Sequence, residues 1–310
     1  MRILIVGAGA LGGYFGARLL DAGRDVTFLL RPRRAAALAR NGLIVRSPLG
    51  DLHLPNPPHV TADAVGGPYD LVIVGCKAYD LDDTMESFAP AVGPQTAILP
   101  VLNGMAHLDR LVARFGDDKV LGGWCMISAA LDEHGVVQHF NDMHGLSFGE
   151  RDGSRSARVE AIEAAFAGAN VAARASTQIL QEMWEKWVFI ASAAGLTCLM
   201  RGSVGDVVAA GASDIGLALL DEANAIADAE GFPPRADATE RNRRILTTPG
   251  SPMTASMFKD IERGAPTEGD HLIADLLARG EDPARYPMLR VVDAHLKTYA
   301  ARRARETATP

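Results

Sequence analysis

The sequence predicts an α/β fold: an N-terminal Rossmann-type doubly wound sheet followed by a C-terminal all-helical domain. Three observations predict it. The chain opens Arg-Ile-Leu-Ile-Val-Gly-Ala-Gly-Ala-Leu-Gly, an apolar run that passes straight into a glycine-rich turn. Apolar strands and helical stretches then alternate from Arg2 to about Phe115, the pattern of a parallel sheet wound by helices. Beyond Thr177 the periodic stretches are all helical.

Arg2–Val6 is short and rich in β-branched residues, as suits a strand buried on both faces. Gly7-Ala8-Gly9-Ala10-Leu11-Gly12 follows at once, then a helix over 13–22 closed by Gly23, and a second strand over 25–30. Strand, Gly-x-Gly-x-x-Gly, helix, strand is the front half of a dinucleotide-binding unit. Gly7 would make the tight turn, Gly9 would let a pyrophosphate approach the backbone, and Gly12, helped by Gly16, would let the helix close on the sheet. Ala10 and Leu11 lie at the helix N-terminus, whose unpaired N–H groups and dipole favour phosphate. Arg31 ends the second strand, where NAD-preferring sites usually carry an acid for the ribose hydroxyl. Arg33 and Arg34 lie just beyond, with no acid before Asp51. The cofactor reading is NADP(H), since guanidinium suits a phosphate; a solvated basic loop is the alternative.

Further along, the patterns predict a helix over 32–40, short strands over 43–45 and Leu52–Leu54, a buried strand over 69–76 ending in Lys77, and a helix over Leu81–Phe88. A strand over 96–102 ends in Asn103, and a helix covers 107–115. Strands over 120–131, 136–139 and 146–148, joined by turns at 133–135 and 142–145, are expected to extend the same sheet. A helix over 157–169 and a strand over 171–173 close the first domain, placing the division at 1–174 and 175–310, with a cleft between the two as the default ligand site. Helices follow over 177–200, 214–230 (with Ser213 as N-cap and Gly231 closing it), 255–263, 268–279 (with Thr267 as N-cap) and 288–304, and the tail from Glu306 is expected to fray.

The chain has 310 residues, 48% hydrophobic and 22% charged, with a net charge of −7. Nothing in that balance favours a nucleic-acid partner. Cys76, Cys125 and Cys198 are too scattered for a zinc site or a disulfide framework, and no metal is expected. No apolar run reaches the eighteen or so residues of a membrane helix. With no leader at the start, a reducing cytoplasm is the expected setting. A second copy of the chain, through the helical half, is a partner the sequence allows.

Ligands of open α/β sheets lie beyond the C-terminal strand ends, and Arg31, Lys77 and Asn103 stand at three of them. Lys186 lies within Glu182-Met183-Trp184-Glu185-Lys186-Trp187, on an otherwise apolar helix. Burial there would make it a proton donor near neutral pH; a lysine snorkelling to Glu182 is the equal alternative. Glu268 falls in the first turn of its helix, where complementing the dipole would suffice to explain it.

Taken together the chain resembles the ketopantoate reductase (2-dehydropantoate 2-reductase) family over nearly its whole length. The resemblance rests on the glycine motif, Val74-Gly75-Cys76-Lys77-Ala78-Tyr79-Asp80, Leu102-Asn103-Gly104-Met105, Trp184-Glu185-Lys186, and Ser256-Met257 with Asp260, Gly264 and Thr267-Glu268-Gly269-Asp270. It implies NADPH-dependent reduction of a 2-oxo acid to a 2-hydroxy acid, a small-molecule substrate. Lys186 is then the general acid and Glu268 orients substrate. Asn103 and Lys77 line the nicotinamide and substrate end, and Ser256 contacts the substrate carboxylate. The chain departs where the family carries asparagines four and eight residues after the lysine: here stand Ile190 and Ala194, with Ser192 between them. Gly269 stands where the family often has isoleucine, and His271 has no role in this reading. The departure leaves open ketopantoate, a more apolar 2-oxo acid with the same chemistry, or an NADP-binding sensor that has lost catalysis.

Overall fold

The structure, a computed structural model, describes residues 1–308. The chain packs as two units, Met1–Leu102 with His107–Ile179, and Asn103–Ala106 with everything from Leu180 onward. The main break between these units falls between Ile179 and Leu180, inside a helix. The second unit also takes in a short segment from the middle of the first unit's chain.

The first unit holds ten strands: β1 (Arg2–Val6), β2 (Asp25–Leu29), β3 (Leu43–Arg46), β4 (Leu52–Leu54), β5 (His59–Val60), β6 (Leu71–Val74), β7 (Ala97–Pro100), β8 (Gly122–Leu131), β9 (Val137–Gly149) and β10 (Ala172–Ala175). Five form a parallel sheet in the order β5-β2-β1-β6-β7. Its central residues Ile3, Leu4, Ile5, Leu71 and Val72 are fully buried, as strands covered on both faces must be. The sequence missed β5, because a two-residue strand carries no readable period.

The helices of this half are α1 (Ala10–Asp21), α2 (Pro32–Asn41), α3 (Leu81–Phe88), α4 (Ala106–Phe115) and α5 (Ala157–Phe166). Helix α1 is buried without a break from Gly12 to Leu19 because it packs on two surfaces. A Cβ on Gly16 would come 2.5 Å from the Phe28 ring of β2, and one on Gly13 would come 2.8 Å from Val137 of β9. The small residues that let α1 approach one sheet are therefore matched by another that lets a second sheet approach its far side.

That second sheet corrects the sequence reading. Strands after Val120 do not extend the parallel sheet; they join β3 and β4 in a separate one, ordered β10-β9-β3-β4, with β8 also paired to β9. The expected turn at 142–145 is instead an excursion within the single strand β9. Its register against β8 jumps from Ala129–His139 to Ile127–His144, so residues 140–143 arch out opposite Ser128. Side chains hold the arch. His139 bonds the Met143 carbonyl through Nε2 at 2.9 Å and Ser47 through Nδ1 at 2.8 Å, and His144 Nδ1 meets the Tyr14 hydroxyl at 3.0 Å.

The second unit contains α6 (Ile179–Met200), α7 (Val204–Ala209), α8 (Ser213–Ala229), α9 (Ala236–Leu246), α10 (Ser256–Glu262), α11 (Asp275–Arg279) and α12 (Pro287–Ala308). Helix α6 is its centre, with residues 191–198 all buried. Gly195 lets α8 and α12 close in, since a Cβ there would come 3.3 Å from both Leu219 and Val292. Helices α7 and α9 were not expected, although Ser203 and Asp206 form a capping box on α7. Ser213 lies inside α8, not at its cap. The chain from Glu306 continues α12 to Ala308 rather than fraying, and 309–310 lie outside the described residues. The 268–279 helix opens with a π-helical turn over Asp270–Ala274. Its first intrahelical acceptor is the Glu268 carbonyl, bonded by Leu272 N–H at 2.9 Å, so Glu268 rather than Thr267 stands at the helix start. Among the described residues no helix is long and apolar enough to cross a membrane.

Acid sensitivity follows from the arch. Burial first, then the nearby His139 and Arg18, hold the His144 pKa below its ordinary 6.5. The unfolded chain therefore binds this proton more readily than the native one, and stability contributed by neutral His144 is lost as pH falls below about 6.5. His144→Gln is expected to flatten the decline in unfolding free energy between pH 7 and 5. An unchanged slope in denaturant titrations across that range refutes the assignment.

Candidate active site

The glycine loop joins β1 to α1. Gly7 has φ +90°, a conformation a side chain would strain, and its N–H donates to the Leu29 carbonyl of β2 at 2.9 Å. A Cβ on Gly12 would overlap the Gly7 carbonyl oxygen. A Cβ on Gly9, by contrast, would meet no atom within 4 Å, so the loop is open there. Helix α1 begins after Gly9 with no side-chain cap and no acid in its first turn. The N–H groups of Ala10, Leu11 and Gly12 precede the first intrahelical bond, Gly13 N–H to Gly9 O at 2.8 Å. An open glycine face at an uncapped helix N-terminus is what a dinucleotide pyrophosphate requires, and these residues fit one.

The basic cluster after β2 divides its labour. Arg31 is 69% exposed and pairs with Asp80 at 3.1 Å, tying the end of β2 to the turn after β6 while leaving guanidinium surface free for an anion. Arg34 is committed to backbone: it donates through Nε to the Ala8 carbonyl and through Nη1 to the Gly135 carbonyl, both at 3.0 Å. It therefore braces the glycine loop, a role its place in a basic run did not reveal. Lys77 is half-buried at the start of the turn Ala78–Asp80, its carbonyl accepting from Asp80 N–H at 3.0 Å.

Lys186 lies two turns into α6 and is half-buried. Its ammonium donates to Asn103 Oδ1 at 2.8 Å, so the second unit brings together two residues that the sequence places 83 positions apart. The helix carrying it is locked on both sides of the lysine. Trp184 and Trp187 pack at 4.9 Å between ring centroids, and Trp184 stacks on Phe232 at 5.7 Å. The buried Glu185 carboxylate accepts from Arg235 Nε at 2.7 Å, Arg235 Nη2 at 2.6 Å, Arg235 N–H at 3.0 Å and Gln181 at 3.2 Å. Burial pushes the Glu185 carboxyl upward, but these donors outweigh it and hold its pKa below the ordinary value.

Asn103 is itself held from behind. His271 Nε2 bonds the Asn103 carbonyl at 2.6 Å, and Trp187 Nε1 donates to the neighbouring Leu272 carbonyl at 3.0 Å. Lys186, Asn103, His271, Leu272 and Trp187 thus close a ring of contacts through two peptide links.

A cavity of about 90 Å³ adjoins this ring, and Asn103, Ile190, Ala194, Met253, Ser256 and Met257 are among its walls. Ser256 opens α10 and is exposed at the cavity rim. Ile190 and Ala194 face the space, whereas Ser192 turns away, fully buried and donating to the Val188 carbonyl at 2.8 Å. Ser192 thus does not replace a missing polar contact. Glu268 is half-buried at the head of the π-helical turn. Among the described residues no group of acidic, histidine or cysteine side chains is placed to hold a metal.

Known proteins resemble this chain in sequence and fold. The family described as ketopantoate reductase PanE/ApbA matches residues 3–153, and its C-terminal counterpart matches residues 178–299. An uncharacterized oxidoreductase, YkpB, of Bacillus subtilis is 37% identical over 97% of this chain and 99% of its own. The crystal structure of 2-dehydropantoate 2-reductase from Geobacter metallireducens has a TM-score of 0.85 at 31% identity, covering 96% of this chain and 99% of that one. A D-mandelate dehydrogenase solved with NADH and anilino(oxo)acetate shares the fold, with a TM-score of 0.87 at 18% identity over 98% and 99% of the two chains.

The Glu185–Arg235 contact yields a stability test. Removing one partner of a buried pair destabilises by roughly 3–5 kcal/mol, and less when the partner is half-exposed, as Arg235 is at 47%. Arg235→Ala is expected to lower unfolding stability by about 2 kcal/mol or more and to raise the Glu185 pKa. Equal denaturation midpoints for the two proteins contradict this.

Proposed function

The chain belongs to the ketopantoate reductase family, and we propose that it is an NADP(H)-dependent reductase converting a 2-oxo acid to a 2-hydroxy acid, as in the reduction of 2-dehydropantoate to pantoate. The observation that carries the proposal is the Lys186 ammonium oriented by Asn103, a residue that also lines the adjoining cavity. A nicotinamide held by the glycine loop and Arg31 would supply the hydride that the carbonyl carbon accepts. As that carbon accepts it, negative charge develops on the oxygen, and an ammonium aimed there stabilises the charge and delivers the proton. Lys186 is the general acid in this account, and it regains its proton from solvent. Asn103 orients it and borders the substrate. Ser256, at the rim, takes the substrate carboxylate, and Glu268 orients the substrate.

On the cofactor side, Gly7, Gly9, Ala10, Leu11 and Gly12 receive the pyrophosphate on open backbone. Arg31 takes the 2′-phosphate, and Lys77 borders the nicotinamide end. The exposed guanidinium of Arg31 supports NADP(H) over NAD(H). A D-mandelate dehydrogenase of the same fold was solved with NADH, so the fold is compatible with either cofactor, and Arg31 is what supports NADP(H) here.

A second reading of the substrate has its own support. The cavity presents Ile190, Ala194, Met253 and Met257, and none of these can satisfy a buried hydroxyl. A hydroxyl held against that face, away from Asn103 and Ser256 on the other walls, would lose hydrogen bonds to water without replacement, a penalty of about 1–3 kcal/mol. A 2-oxo acid with a branched or aryl apolar side chain fits this lining better than ketopantoate does. The reaction and the role of Lys186 are the same in both readings.

Purified protein assayed for NADPH oxidation against a panel from ketopantoate to phenylglyoxylate tests the reaction. Turnover with at least one member is expected, and its absence across the panel refutes the reading. Lys186→Ala is expected to lower kcat by about 10²-fold or more; near-native kcat removes Lys186 from the chemistry. Arg31→Asp is expected to move kcat/KM from NADPH toward NADH. Unaltered selectivity refutes the phosphate assignment.

A further inference from the structure

We propose that His271 is a positioning residue for the reaction: through the Asn103 backbone it sets the direction in which Asn103 holds the Lys186 ammonium. The inference rests on the reading of Lys186 as general acid. His271 occupies the π-helical turn Asp270–Ala274 and is 8% exposed. Its Nε2 lies 2.6 Å from the Asn103 carbonyl oxygen. A carbonyl only accepts, so Nε2 carries the proton and donates.

The contact is made from within the π turn. Here His271, Leu272 and Ile273 are all buried, at 8%, 5% and 0% exposure. A π turn is a local widening of the helix that is frequent at functional sites, and this one is pinned to α6 by the Trp187 indole on the Leu272 carbonyl. The opposite side of the contact is equally confined. Gly104 has φ +78°, and a Cβ there would come 3.1 Å from His271 Cδ2, Nε2 and its carbonyl oxygen. The Asn103-Gly104 turn therefore lies directly on the His271 ring.

With its carbonyl tethered and the next residue seated on the ring, the Asn103 backbone has little freedom, and its carboxamide points at Lys186 Nζ. Loss of the His271 donor frees the turn while leaving both Asn103 and Lys186 in place. The effect belongs in the chemical step, because misplacing a catalytic group by an ångström lowers rate more than it lowers ground-state binding.

Steady-state kinetics of full-length His271→Leu and His271→Gln test this, using NADPH and whichever 2-oxo acid of the panel the native protein turns over fastest. Leucine removes the donor, whereas the glutamine amide restores one near the Nε2 position. His271→Leu is expected to lower kcat about tenfold with the KM for NADPH within about twofold of native, and His271→Gln to recover most of the loss. His271→Met serves the same comparison if the leucine variant does not fold. Native kcat in the leucine variant, or a glutamine variant no better than leucine, overturns the positioning role while Lys186 keeps its own. A native protein that oxidises no NADPH with any 2-oxo acid overturns the underlying reading and this inference with it.

Discussion

The 2.8 Å bond from the Lys186 ammonium to Asn103 is the constraint on which the proposed chemistry depends. Charge-assisted hydrogen bonds are among the stronger polar contacts a protein makes, yet an isolated lysine has four rotatable carbons over which to lose that direction. The surrounding structure removes the freedom. Indole packing and the multiply bonded Glu185 fix α6 before and after the lysine. The ring running through His271, Leu272 and Trp187 fixes the acceptor to the same helix. Donor and acceptor therefore share one rigid frame, which is what the proposed general-acid role of Lys186 requires: a direction kept without reorganisation as charge develops.

In the first unit the candidate phosphate site is built from backbone rather than from side chains. Its glycine loop presents N–H groups at an uncapped helix end, and Arg34 braces that loop from its carbonyl side. Helix α1 can be so confined because it is buried between two sheets, with glycines where each approaches. The second sheet therefore has a function beyond filling space: through Val137 it presses the helix whose N-terminus forms the candidate phosphate site.

Legibility in the sequence followed the range of the interaction. The β1–loop–α1–β2 unit was readable because its signal is local: an apolar run, three spaced glycines and a helix. The long helices α6 and α8 were readable by period. Strand β9 was misread because Asp142 to Gly145 reads as a turn, whereas tertiary bonds from Ser47 to His139 and from Tyr14 to His144 hold an arch inside one strand. His271 had no readable role because a π turn breaks the period on which helix reading depends. Arg34 looked like part of a basic run until its partners, Ala8 and Gly135, were seen to be carbonyls. Lys186 and Asn103 were each singled out, but the bond between them crosses 83 residues and leaves no trace in spacing.

The apolar lining by Ile190 and Ala194 concerns which acid enters, while the ammonium concerns what happens to it. The second question is the more basic one. It is answered most directly by a crystal structure of the protein with NADP⁺ and oxamate, whose amide oxygen stands where a reactive 2-oxo oxygen would. The account predicts Lys186 Nζ within about 3.2 Å of that oxygen, still flanked by Asn103. Oxamate bound with Nζ turned away, and another donor on its oxygen, contradicts it.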